Sequence, residues 1–236
     1  MKAPSNQNRI AVIGSTGSGK THFSMWLLGS LLQDSWSDMP LTIFDFKRAK
    51  FIRRLLDAKV AKKIDINRKP PKEPGIYIVQ PEPVADDMAV LDYLKAIYLQ
   101  ESHCLYFDEA YELGIRNRGF RRLLTQGREL EIPMLYCTQR PVNCDRYSLS
   151  EADYMAIFKL RIEDDQKLIR NMVPQYDPAR LVNYECFWYD VGSDEGVKLR
   201  PVPSETEIMR LYTGEVVQAP MSTSAEPIEG RSRVFL

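Results

Sequence analysis

Apolar residues in this chain come in short unbroken runs, separated by longer stretches in which they recur every three or four positions. The runs lie at 9–13, 41–46, 76–79, 104–107, 134–139 and 154–160. Runs of four to six, bounded by polar and turn residues, predict strands covered on both faces. The intervening stretches have helical spacing. Residues 22–32 form one, and Phe51, Ile52, Leu55, Leu56 and Val60 mark a second. A third spans 86–100, with Met88, Leu91, Leu94, Ile97 and Tyr98 turned inward, and a fourth spans 164–172. Strand, helix, strand at this spacing is a βαβ unit, so the strands form a parallel sheet. Residues 185–191 and 197–200 flank Gly192-Ser193-Asp194-Glu195-Gly196, which predicts a hairpin whose loop exceeds a two-residue turn. Phe187, Trp188 and Tyr189 are assigned to packing. The expected fold is α/β, with a mainly parallel central sheet flanked by helices and a C-terminal β-hairpin. A flexible N-terminus (1–8), one domain (9–215) and a disordered Ser/Pro/Glu-rich tail (216–236) are expected.

Composition narrows the classes. The 236 residues are 44% hydrophobic and 27% charged, which suits one globular domain. Formal net charge is zero, so any attraction to nucleic acid must come from a local surface. Residues 47–72 supply such a surface, with eleven bases against Asp57 and Asp65. A solvated helix face and a phosphate-contact surface remain equally open there. The 112–124 stretch, with Arg116, Arg118, Arg121 and Arg122 around Gly114 and Gly119, reads as a loop that contacts either phosphate or a partner. No apolar run reaches bilayer length, and residues 1–8 lack a signal-like core. Cys104, Cys137, Cys144 and Cys186 have no C-x-x-C spacing and read as reduced structural thiols. His22 and His103 have no motif partner.

The chemistry centres on Gly14-Ser15-Thr16-Gly17-Ser18-Gly19-Lys20-Thr21, followed by His22. It fits G-x-x-x-x-G-K-[ST], and it sits between a predicted strand and a predicted helix as that pattern requires. Glycines let the backbone wrap phosphate with its N–H groups inward, and the helix N-terminus favours anions. Lys20 would reach the β- and γ-phosphates, and the Thr21 hydroxyl would bind Mg²⁺. The strand at 104–107 ends in Asp108-Glu109. Asp108 is the expected second holder of the metal shell, and Glu109 the group that polarises the attacking water. A solvated strand-end acid is the alternative for Glu109. Gln139, at the end of another strand, lies where strand C-termini line the ligand crevice. It is expected to bond the γ-phosphate or the water. No N-K-x-D guanine-reading motif is present, so ATP with Mg²⁺ is the expected substrate pair.

The P-loop, Asp108-Glu109 and the run from Gly127-Arg128 through Ile132 to Thr138-Gln139-Arg140-Pro141 resemble the FtsK–HerA superfamily of DNA-pumping ATPases. The likeness covers roughly residues 9–172. A short chain without a membrane segment is most similar to the genome-packaging ATPases of tailless, internal-membrane viruses of the tectivirus type. The resemblance implies a RecA-like P-loop ATPase domain that translocates double-stranded DNA without sequence preference into a preformed capsid. It implies a hexameric or pentameric ring in which Arg128 reaches a neighbour's nucleotide, with Arg140 second and Arg121 and Arg122 weaker candidates. It also implies capsid or portal-vertex partners, contact with viral membrane proteins, and a location in host cytoplasm or at the virion vertex. Filamentous-phage assembly ATPases of the zonula-occludens-toxin type, which act on proteins, are the alternative. Arg128 in a plain surface salt bridge is also open.

Overall fold

The structure is a computed structural model and describes residues 3–82, 85–113 and 117–214. In chain order the elements are β1 (Arg9–Ile13), α1 (Lys20–Leu32), β2 (Pro40–Phe44), α2 (Lys50–Asp57), β3 (Ala61–Lys63) and β4 (Gly75–Val79). They continue with α3 (Asp87–Gln100), β5 (Cys104–Phe107), α4 (Arg118–Gln126), β6 (Met134–Thr138), α5 (Tyr147–Ser150) and β7 (Tyr154–Phe158). The last are α6 (Glu163–Met172), β8 (Cys186–Asp190), β9 (Glu195–Leu199) and α7 (Glu205–Thr213).

The described strands make one sheet in the order β3-β4-β2-β5-β6-β1-β7-β8-β9. Pairing is parallel from β3 to β7 and antiparallel from β7 through the β8–β9 hairpin. Strands β1, β2, β5, β6 and β7 are buried at every position, because helices cover both faces. Alternate residues still face opposite ways. Ile10 and Val12 pack with Phe23, Met25 and Leu28 of α1 and with Ile52 and Leu55 of α2. Ala11 and Ile13 join the other layer, with Val90 and Leu94 of α3, Phe120 and Leu123 of α4, and Ile169 of α6. Each fully buried Leu, Ile or Phe contributes about 1.5–3 kcal/mol relative to exposure, so the two layers hold the sheet between them.

The structure departs from the sequence reading in five places. Residues 118–126, read as loop, are helix α4, because Asn117 accepts the Phe120 N–H at 2.9 Å and caps it. The charge in that stretch is partly internal: Arg122 lies 3.8 Å over the Tyr98 ring, and Arg121 bonds Asp145. Gly114 and Arg116 fall outside the described residues. Inside the basic segment, 61–63 forms the edge strand β3, too short to show alternation. On α3 the inward stripe is Val90, Tyr93, Leu94 and Ile97, and Met88 is 68% exposed. That stripe is the i, i+3, i+4, i+7 set, which Met88 does not share. Helix α7 lies on α1, with the Tyr212 hydroxyl donating to the Met25 carbonyl at 2.6 Å. The lead-in before β1, expected to be flexible, makes contacts with the domain from Pro4 onward. Pro4 is buried, and the Trp36 indole N–H donates to the Ser5 carbonyl at 3.1 Å.

Cys104, Cys137 and Cys186 are buried and Cys144 half-buried, and all four are free. Among the described residues no helix is long and apolar enough to cross a membrane. The tail at 216–236 lies outside the described residues.

Candidate active site

Strand order dictates the order of the site. Adjacent strands β2, β5, β6 and β1 end at one edge of the sheet. The residues just beyond them are Lys47, Asp108-Glu109, Gln139 and the P-loop. Parallel strands therefore set these side chains side by side, and they bond in sequence. Lys47 Nζ ion-pairs with Glu109 Oε1. Gln139 Nε2 donates to that oxygen at 2.5 Å, and Gln139 Oε1 accepts the Thr16 hydroxyl at 2.5 Å. A carboxylate only accepts, so the Gln139 amide nitrogen must face Glu109 and its oxygen must face the P-loop.

The P-loop follows β1 and feeds directly into α1. Its backbone turns through left-handed conformations at Gly17 (φ 75°) and Gly19 (φ 101°), where a side chain would be strained. Gly14 is needed for a different reason: a Cβ there would lie 2.6 Å from Phe158 Cβ. Lys20 is buried, and its Nζ donates to the Ser15 carbonyl at 3.1 Å. Burial pulls its ammonium below the usual lysine range, while Glu109 and Asp108 work against this. Thr21 Oγ1 donates to Asp108 Oδ1 at 2.9 Å, and the Tyr106 hydroxyl donates to the same oxygen at 2.7 Å. Hydroxyl and carboxylate oxygens so placed are a donor set for a hard cation that keeps other ligands from phosphate and water.

Asp108 and Glu109 are each 2% exposed. Burial pushes the Glu109 carboxyl up, and Lys47 and Gln139 hold it down. Three buried side-chain polar atoms lack a hydrogen-bond partner among the described residues, and two of them, Ser18 Oγ and Glu109 Oε2, belong to this cluster. Such orphans are uncommon in folded proteins and cluster where a ligand belongs. The cleft that Glu109 adjoins measures about 440 Å³ and is lined by Gly19, Lys20, Thr21, Lys47 and Gln139 among others. That is ample for a triphosphate. The residues present thus fit both a nucleotide and its metal.

The predicted set is brought together except at two positions. His22 lines the rim, but its Nε2 donates to the Pro203 carbonyl at 3.2 Å, and its ring meets Phe51 edge-on. Arg128 lies at the opposite edge of the sheet and ion-pairs with Asp153, whose other oxygen accepts the Arg9 N–H at 2.8 Å. Arg140, beside Gln139, bonds buried Asp165 at 2.8 Å. Within the basic segment Arg48 pairs with Glu82 and Arg54 with Glu205.

Lys47 escaped the sequence reading. It was counted within a basic run, and only the adjacency of β2 and β5 reveals its task. Asp45 also did. It is 1% exposed, accepts the Ala49 N–H at 2.9 Å and the Gln80 amide at 3.0 Å, and so ties the start of α2 to the sheet edge. Burial raises its carboxyl, and Asp108 adds to that. A carboxylate two residues before a lysine at a strand end was the available signal.

No family model matches the chain. It is 33% identical over 229 residues to the DNA packaging ATPase P9 of Enterobacteria phage PRD1, covering 90% of this chain and 95% of that one. Its fold matches the genome packaging NTPase B204 of Sulfolobus turreted icosahedral virus 2 in complex with ATP-gammaS. The TM-score is 0.67 at 14% identity, over 84% of this chain and 99% of the other. VirB4 of Thermoanaerobacter pseudethanolicus matches with a TM-score of 0.61 at 11% identity, over 88% and 93% of the two chains. With a P-loop, an Asp-Glu strand end and a bridging glutamine on a β2-β5-β6-β1 sheet edge, and with that identity over nearly its whole length, the chain belongs to the family of the PRD1 packaging ATPase P9, within the FtsK–HerA P-loop ATPases.

Proposed function

We propose that this protein is the ATPase that packages a viral genome, hydrolysing ATP to move double-stranded DNA into a preformed capsid. The observation that carries the reading is the Lys47–Glu109–Gln139–Thr16 chain of contacts, set at the P-loop of a chain whose relative is a DNA packaging ATPase. Glu109 is the group to polarise the attacking water. It is buried, so its field is little screened, and one oxygen is left uncommitted. Gln139 touches both Glu109 and the P-loop, and so can register the state of the γ-phosphate. Lys20 and the loop N–H groups hold phosphate oxygens. Thr21 and Asp108 would hold Mg²⁺, which when bound neutralises charge on the β- and γ-oxygens.

The remaining roles rest on kinship. The protein acts as a homo-oligomeric ring, a hexamer or pentamer, around duplex DNA at a capsid vertex, in contact with portal-vertex and viral membrane proteins. The working domain is 9–215. Arg128 points away from its own nucleotide cleft, so any catalytic contact it makes is to a neighbouring subunit's nucleotide. DNA is gripped by its phosphates, without sequence preference. Steady-state hydrolysis with Mg²⁺, with and without linear duplex at two salt concentrations, tests the whole reading. Stimulation by any duplex, weakening with salt and lost in Glu109→Gln and Arg128→Ala, is expected. Robust hydrolysis indifferent to DNA would instead indicate work on protein partners.

A further inference from the structure

A second cleft of about 390 Å³ opens beside the phosphate cleft and shares Gly19, His22 and Tyr184 with it. Its remaining walls are Phe23, Phe158 and the Pro201-Val202-Pro203-Ser204 segment that leads into α7. We infer that this is the seat of the nucleotide base, that Tyr184 stacks on the base, and that the Pro-Val-Pro segment selects adenine. The inference rests on the ATPase reading of the phosphate cleft.

Three observations carry it. The first is continuity. A nucleotide with its phosphates on Gly14–Thr21 must send its sugar and base out over the start of α1, and the second cleft begins there, at Gly19 and His22. The second is Tyr184 itself. It stands 59% exposed at the lip of the P-loop, with its backbone in the left-handed region at φ 66°. A bulky aromatic residue in that conformation is an outlier, and outliers concentrate at ligand sites. Its ring lies so close to the loop that a Cβ on Gly19 would come within 3.1 Å of Tyr184 Cδ1. One face of an aromatic ring is thus presented beside the phosphates without burial of its own.

The third observation concerns hydrogen-bonding polarity. Pro201 and Pro203 have no backbone N–H. The Ser204 N–H is committed to Glu207 Oε2 at 2.9 Å. The Ser204 carbonyl accepts the Ile208 N–H at 2.9 Å and the Pro203 carbonyl accepts from His22, so among the described residues the backbone of 201–204 offers the Pro201 and Val202 carbonyl oxygens and the single Val202 N–H. Adenine presents an amino donor next to a ring-nitrogen acceptor. Guanine presents a carbonyl acceptor at the position of that amino group. Two carbonyl acceptors beside one donor complement the adenine amino group and ring nitrogen and repel the guanine carbonyl. His22 steadies this wall by donating to the Pro203 carbonyl.

The test compares wild-type protein with Tyr184→Ala and Tyr184→Phe by titration calorimetry. ATP, GTP and inorganic tripolyphosphate, which has no base, are the probes, and hydrolysis of ATP is followed in parallel. Wild-type protein is expected to bind ATP more tightly than GTP. Tyr184→Ala is expected to lose ATP affinity by roughly ten-fold, the scale of one base stacked on one aromatic ring, and to keep its affinity for tripolyphosphate. Tyr184→Phe is expected to behave as wild type. Equal loss of ATP and tripolyphosphate in Tyr184→Ala would mean that the ring only shapes the loop, and would overturn the seat. So would unchanged ATP affinity in that variant, and equal binding of ATP and GTP by wild type would overturn the selection. Each of these leaves the ATPase reading intact. Wild-type protein that fails to hydrolyse ATP would overturn that reading and the seat with it.

Discussion

Glu109 holds a charge where charge is disfavoured. It is 2% exposed, and one of its oxygens lacks a partner. Its folded pKa lies above its unfolded value because of burial, so ionisation opposes folding as pH rises through the folded pKa. Glu109→Gln should therefore remove turnover and raise stability together. A loss of at least about 100-fold in kcat is expected, with a gain of roughly 1 kcal/mol, or about 2–4 °C in Tm for a chain of this size. Calorimetry beside a steady-state assay checks both. His103 runs the other way. It is buried among Thr42 (2.9 Å) and Gln100 (3.3 Å), and burial drops its pKa to about 3. Its folded pKa lies below the unfolded value, so its contribution is complete above about 6.5 and is lost as pH falls toward about 3. Urea midpoints at pH 7 and pH 4 should therefore differ less in His103→Gln than in wild type, by an amount up to about 3 kcal/mol. Lys20 and Thr21 were legible in the sequence through the spacing of the glycine loop, and Asp108, Glu109 and Gln139 through their place at the ends of apolar runs. Lys47 and Tyr184 were not, because their positions matter only once β2 adjoins β5 and the chain before β8 folds over Gly19.

Among the elements, the long apolar runs were the readable part. A buried strand needs several consecutive apolar residues, and few other structures do. The elements that were missed are those whose formation depends on caps or on neighbours. Helix α7 begins with Ser204 and Glu207 bonding each other's backbone N–H, a reciprocal cap visible as Ser-x-x-Glu. It buries Ile208 and Leu211, with Met209 and Tyr212 packed partly buried beside them, and these acquire meaning by meeting α1 at Gly29, where a Cβ would lie 3.0 Å from Leu211 Cβ. Ser204→Ala should cost about 1 kcal/mol, read as a lower urea midpoint. Helix α4 hid for a similar reason: four arginines and two glycines across 114–122 masked the pattern of Phe120, Leu123 and Leu124.

For the molecule as a whole, the two ends of the sheet are unequal. One is the β8–β9 hairpin. The other is β3, three residues long, with Lys62 and Lys63 exposed and β4 as its sole strand partner among the described residues. Short, lysine-bearing edges resist pairing with another chain. The double substitution Lys62→Val and Lys63→Val should promote concentration-dependent association, measurable by light scattering, while hydrolysis persists. Part of the charge at 47–72 thus has a structural use, whatever else it meets. The fold class was readable at this scale because strands and helices alternate. The strand order was not, since pairing between residues more than a hundred positions apart leaves no local trace.

That order bears on how the protein is made. Strand β1 pairs with β6 on one side and β7 on the other, Arg9 opposite Met134 and Ile10 opposite Tyr154. Strand β1 leaves the ribosome well before its two partners and must wait for them, and such distant pairings form slowly. The Gly14 N–H, which opens the P-loop, bonds the Thr138 carbonyl at 3.1 Å. A nascent chain shorter than about Phe158 therefore carries the phosphate-binding sequence without the walls that shape it. Nucleotide binding is therefore expected to arrive only once β6 and β7 have paired with β1.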